Sequence, residues 1–131
     1  MFDRRNAMEI FEVDLSDFDG ETTDERCGII VRLDEDYFAI EVPNEAANPR
    51  RDFRISDSRT MEILAHEGLD RSSIVGVVHT HQRGFSRWPS YNDVKGLPLN
   101  LVGCVYHPST GSRVWYDRSG FLQEDIKRST T

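Results

Sequence analysis

The chain has 131 residues, 37% of them hydrophobic and 30% charged, with a formal net charge of -7. That length suits one domain, 1–131, able to bury a core without disulfides or metals as staples. The acidic balance excludes a general nucleic-acid footprint, which needs clustered Lys and Arg, and no apolar run approaches the ~20 residues of a membrane span.

Met1 to Arg5 leads into a mixed acidic stretch with no apolar signal-peptide core, so the expected class is a cytoplasmic enzyme or assembly factor. Residues 1–24 give two readings. Phe11, Val13 and Leu15 alternate like a strand, while Met8, Phe11 and Leu15 fit one helical face; Asp14, Asp17, Asp19 and Gly20 argue for a loop. Cys27 to Leu33 reads as a buried strand, Asp34 to Asp36 as a turn, and Tyr37 to Val42 as the hairpin partner. Cys27 and Cys104 each sit in an apolar run and read as reduced, buried thiols. Pro43, Asn44, Asn48 and Pro49 mark a long loop, followed by a short strand around Phe53 and Ile55. Ser56 to Ser58 offer an N-cap, Met61, Leu64 and Ala65 an apolar stripe, and Gly68 a stop. Ser73 to Val78 is another buried strand, running into His79-Thr80-His81. A polar, aromatic loop reaches Pro89, and Ser90 caps a short helix carrying Asp93. Leu99 to Tyr106 and Arg113 to Tyr116 read as strands around a turn at Pro108 to Gly111, and Lys127 to Thr131 as a frayed end. Ile29, Ile30, Val75, Val77, Val78, Leu101 and Val102 are the expected core. The order of elements predicts an α/β or α+β fold with a mixed central sheet flanked by helices.

His79 and His81 leave the same face of a strand, because side chains at i and i+2 do so. Both imidazoles can therefore meet one ion, and Asp93, in the first turn of the next helix, can close a third side. Two His and one Asp with an open position suit catalytic zinc. A His-x-His pair alone is weak evidence, since such pairs are common as solvated surface residues. Its place at the end of a strand, the Ser90 to Asp93 spacing, and Glu25 beside an earlier strand strengthen it.

The run His79-Thr80-His81 followed by Ser90-x-x-Asp93 resembles the H-x-H-x7-S-x2-D motif of the JAMM (MPN-plus) metallopeptidases. Glu25-Arg26-Cys27-Gly28-Ile29-Ile30 resembles that family's E-x-C-G-hydrophobic segment. Pro43-Asn44-x-Ala46, Asn48-Pro49 and Phe53-x-Ile55 resemble the linking segment of its short prokaryotic and phage-tail branch. The resemblance spans residues 24–117, and several matches in one order are far more specific than His-x-His alone. Eight residues, Gln82 to Pro89, separate His81 from Ser90 where the family has seven, and Gln82 stands where Pro is usual. This reads as a one-residue insertion before Gly84, so that losing Gln82 or Arg83 is expected to be tolerated. The family's N-terminal helix is not evident.

The resemblance implies a JAMM/MPN-like, cytidine-deaminase-like domain. It implies one zinc on His79, His81 and Asp93, Glu25 as general base then acid, and Ser90 as hydrogen-bond donor to the oxyanion. Read without it, Ser90 is a helix cap and Glu25 a surface carboxylate; Glu21 is the second candidate base. The implied activity is cleavage of an amide bond in a protein or peptide, at or after the C-terminal tail of a ubiquitin-like or small protein, or in a phage tail-assembly protein. The alternative is a non-catalytic scaffold of the same fold, which the complete Glu-His-His-Ser-Asp set disfavours. A zinc deaminase would need H-x-E with P-C-x-x-C, and the chain has neither. Phe85, Arg87 and Trp88 are expected mainly to pack the loop down. His66 reads as a helix-surface residue and His107 as structural.

Overall fold

A computed structural model describes residues 7–20, 22–82 and 85–126. Six strands form one mixed sheet in the order β2-β1-β3-β4-β5-β6. They are β1 (Cys27–Leu33), β2 (Asp36–Val42), β3 (Ile74–Thr80), β4 (Val102–His107), β5 (Ser112–Asp117) and β6 (Gly120–Ile126). Neighbours pair antiparallel except β3 and β4, which run parallel with His79 beside Val105. Helices are α1 (Ala7–Ile10), α2 (Asp57–His66) and α3 (Tyr91–Gly96). The expected mixed sheet with flanking helices is therefore what the chain forms.

The two faces are covered differently. On one, the N-terminal segment lays Ile10, Phe11, Val13, Leu15 and Phe18 over Ile30, Val78, Val102, Cys104 and Trp115. This settles the reading of the described residues 7–18: a short helix and a turn at Ser16–Phe18, with Ile10, Phe11, Val13, Leu15 and Phe18 turned inward. Gly28 makes the close contact possible, since a Cβ there would sit 2.8 Å from the Phe18 ring and 2.5 Å from the Ile40 carbonyl oxygen. Arg26 fastens the segment from outside: it pairs with Glu41 at 2.7 Å and donates to the carbonyls of Asp17 and Asp19.

On the other face, Leu64 of α2 packs among Cys27, Ile29, Val31 and Val42, while Val94 of α3 and Leu97 just after it pack with Val105, Val114 and Tyr116. Ser56 caps α2 through Arg59 N–H, and Gly68 (φ +72) follows it in the left-handed conformation. Cys27 and Cys104 are free and buried, as expected.

Four expectations change. Phe53 and Ile55 form no strand, because Arg54 bonds back to Asn44 and Glu45 within the loop instead of joining the sheet. The fourth strand begins at Val102, not Leu99, since Leu101 N–H closes a turn onto Pro98. Edge strand β6 was not anticipated; its sequence FLQEDI carries little apolar alternation. Val75, Val77 and Leu101 of the expected core are only partly buried. The tail 127–131, Arg83, Gly84 and Glu21 lie outside the described residues.

Candidate metal centre

The site stands on the α2/α3 face, at the end of β3. Alternation along the strand turns Val78 and Thr80 toward the N-terminal segment. Val77 and His79 face the helices instead. His81 follows the strand, but its N–H still bonds the Tyr106 carbonyl at 3.0 Å, so it is held as a further strand position. The two Nε2 atoms lie 3.1 Å apart. His79 is fully buried under the Phe53 ring, stacked at 4.2 Å and 18°. The Nδ1–H of His81 donates to the Ser86 carbonyl, which leaves the Nε2 lone pair facing the cluster.

Asp93 arrives through the start of α3. Ser90 and Asp93 form a capping box: Asp93 N–H donates to Ser90 Oγ at 3.1 Å, and Ser90 N–H to Asp93 Oδ2 at 2.8 Å. The same Oδ2 lies 3.2 Å from His79 Nε2 and 3.6 Å from His81 Nε2. Glu25 enters from the residue pair before β1. It is buried, its Oε1 is 3.7 Å from His81 Nε2, and its Oε2 has no hydrogen-bond partner.

The electrostatics divide the two carboxylates. Burial pushes Glu25 up from 4.5 to about 8, with the His81 charge opposing and the Asp93 charge adding. Burial also opposes the charge of Asp93, but hydrogen bonds from His79, His81 and the Ser90 N–H outweigh it and hold that carboxyl well below the usual range. Burial keeps His79 below its ordinary pKa. Burial also disfavours charged His81, but its bonds with Asp93 and the Ser86 carbonyl, together with the Glu25 charge, raise it.

This group can hold a metal ion. Donor atoms of Glu25, His79 and His81 all lie within 4.8 Å of one another. Those of His79, His81 and Asp93 are closer, at 3.1, 3.2 and 3.6 Å. Four donors about 2.0–2.1 Å from a tetrahedral ion stand ~3.4 Å apart, so the second set already has the spacing of a coordination shell. The unpartnered Glu25 Oε2 marks a place where a water or ion would be bound.

Four residues that the sequence did not single out for the site, Gln82, Thr80, Asn44 and Phe53, hold it in place. The Gln82 amide is buried and makes four hydrogen bonds, to Thr22 N–H, Thr22 Oγ1, the Asp24 carbonyl and Thr80 Oγ1. Thr80 Oγ1 in turn accepts from Arg26 N–H at 2.8 Å, so both neighbours of Glu25 are tied to the end of β3. Asn44 donates to the carbonyls of Glu25 and Asp52 and accepts from Ala46 and Arg54 N–H. Phe53, between those bonds, is thereby set over His79. The sequence signal was the departure at Gln82 and the Pro43-Asn44 pair, neither of which discloses its distant partner, Thr22 sixty residues from Gln82 and Glu25 nineteen from Asn44. These four bonds argue against the expectation that Gln82 can be lost.

Ser90 and Asp93 line a cleft of about 800 Å³ together with Glu25 and His81. Phe85 and Trp88 stand at its rim, 48% and 42% exposed. Trp88 does pack, edge-on against Phe121 and under the Arg87 guanidinium at 4.7 Å, and Arg87 pairs with Glu124 at 2.5 Å, so the loop is braced on β6. His66 is exposed on α2, and His107 is buried against the hydroxyls of Ser109 and Thr110.

No protein-family model and no curated protein sequence matches the chain. In fold, it is similar to the solution structure of protein DSY2949 from Desulfitobacterium hafniense, a structural genomics target. The TM-score is 0.51 at 16% identity, over 97% of this chain and 88% of that one. At that identity the likeness speaks to fold alone.

Proposed function

We propose that the chain is a zinc-dependent peptidase or isopeptidase of the JAMM type, with a JAMM/MPN-like fold. The observation that supports it best is the convergence of three donor atoms from His79, His81 and Asp93 within 3.6 Å, beside a buried carboxylate that is not needed to complete the set. Two imidazoles and one carboxylate suit zinc better than calcium or magnesium, which prefer all-oxygen shells. Zinc held there would lower the pKa of a water toward ~7 and polarise the substrate carbonyl.

Glu25 supplies the proton relay. One Oε takes a proton from the water as it adds to the amide carbon, then gives it to the nitrogen as the C–N bond breaks. Burial, which pushes the carboxyl up to about 8 in the metal-free chain, favours holding that proton once it is taken, while zinc held beside it would favour the ionised form that first accepts it. The Ser90 hydroxyl accepts from Asp93 N–H at the helix start, which leaves its own proton free for the oxyanion. Cap and oxyanion donor are thus compatible roles of one group. The substrate class is a protein or peptide amide at the C-terminal tail of a small or ubiquitin-like protein, or in a phage tail-assembly protein.

The test is hydrolysis of a panel of C-terminal amide conjugates of such proteins before and after metal removal. Activity lost with chelation and restored by zinc is expected. Cleavage that persists in metal-free protein, or a zinc-loaded protein inert toward every amide offered, contradicts the reading.

A further inference from the structure

One face of the sheet is left unsealed beside the donor cluster. The N-terminal segment closes the opposite face completely over Ile30, Val78 and Val102. On this face α2 and α3 each cover their own group of side chains, and the cleft runs between them. Phe53, Ile55, Ile74, Val77 and Leu101 line it, and every one is only partly buried. Val77 belongs to β3, the third of six strands, where neighbouring helices ordinarily seal a core side chain. Open apolar surface of this kind is unfavourable in water and characteristically marks a binding groove. Gly96, exposed at the end of α3 among the lining residues, has nothing within 4 Å of where its Cβ would stand.

We infer that this cleft receives a large apolar side chain of the substrate, next to the amide bond that is cut. The inference rests on the metallopeptidase reading and narrows it to substrates with Leu, Ile, Met or Phe beside that bond. Continuity names the occupant, since Glu25, His81, Ser90 and Asp93 line the same cleft as Ile74, Val77 and Leu101. A cleft of about 800 Å³ falls in the ~300–1,000 Å³ range of ligand pockets. A substrate with only glycine beside the bond would leave those walls wet.

The experiment measures binding of hydroxamates, which ligate zinc and are not turned over, to zinc-loaded protein. N-acetyl-leucine hydroxamate is compared with its glycine and aspartate counterparts. A second series, isobutyl against unsubstituted succinyl hydroxamate, puts the side chain on the amine side. In at least one series the branched compound should bind about 10- to 100-fold more tightly, the worth of burying one leucine side chain. Gly96→Leu, whose new side chain enters open space, and Val77→Phe should each fill the cleft and cut that preference to about threefold or less, with zinc content retained. Equal binding within both series in the wild type overturns the inference, as does a preference that survives both variants. If no hydroxamate binds zinc-loaded protein, the metallopeptidase reading fails and takes this inference with it.

Discussion

Glu25 is buried, unpartnered at one oxygen, and tied in place through both neighbouring residues, so its chemistry and its position can be tested separately. Glu25→Gln keeps the shape and removes the proton relay. Amide cleavage should fall by ~10²–10⁴-fold while zinc stays bound; retention of full activity would show that another group moves the proton. The same carboxyl should leave a mark on stability. Its folded pKa of about 8 lies above its ordinary 4.5. Between those values the folded chain keeps a proton that the unfolded chain has lost, so stability contributed below 4.5 is lost as pH rises toward 8. In metal-stripped protein, Glu25→Gln should therefore gain stability over wild type through that window, read as the difference in Tm at pH 5 and pH 8. The paired measurement removes the titrations not coupled to Glu25, and a difference that does not move with pH contradicts the burial argument. Gln82→Ala tests position. It strands Thr22 N–H and removes one bond each from the Asp24 carbonyl and the Thr80 hydroxyl, costs roughly 1–3 kcal/mol, and should slow cleavage more than it loosens zinc. Equal loss of both would make Gln82 a plain stability residue. The residues proposed as ligands were legible because i, i+2 spacing on a strand and a capping box are local rules. Gln82, Asn44 and Phe53 act across long sequence separations, and local rules do not reach them.

At the scale of elements, the loop before α3 decides how the two parts of the site meet. His81 belongs to the strand and Asp93 to the helix, and between them Arg87 and Trp88 are fastened to β6. Trp88→Ala should release that brace and let Ser90 drift. A misplacement of about an ångström can cost ~10²-fold in rate, so kcat should drop with zinc content little changed. Comparing kcat and bound zinc in the purified variant checks this, and a silent Trp88→Ala would place the brace elsewhere. Much of this layer was readable: β1 and β2 from the apolar run and turn, α2 from Ser56 and Gly68, β3 from its run into His79. The brace was not, because β6 is an edge strand with polar residues such as Gln123, Glu124 and Asp125. The N-terminal segment was ambiguous for a related reason. Phe11, Val13, Leu15 and Phe18 are buried by long-range packing on the sheet, in a conformation with no regular period to detect.

For the whole molecule, core and site are separable. Trp115, Phe18, Ile10, Leu15 and Leu64 are fully buried without any contribution from a metal. Metal-stripped protein should unfold in one cooperative transition, and zinc should raise its Tm by mass action; a metal-free chain with no transition would mean that the ion is structural. A mixed sheet flanked by helices followed from the order of elements in the sequence, but the covering of one face by the N-terminal segment did not. The cleft did not, because it arises from what α2 and α3 fail to cover. The account turns on which side chains hold the ion, since the histidines are shared between one set completed by Asp93 and another by Glu25. The direct measurement is metal content per chain in wild type, Asp93→Ala, His79→Ala and Glu25→Gln, purified in parallel without chelator. The account predicts about one zinc in wild type and Glu25→Gln and nearly none in the other two. Zinc retained in Asp93→Ala and lost from Glu25→Gln would make Glu25 a ligand and contradict the account.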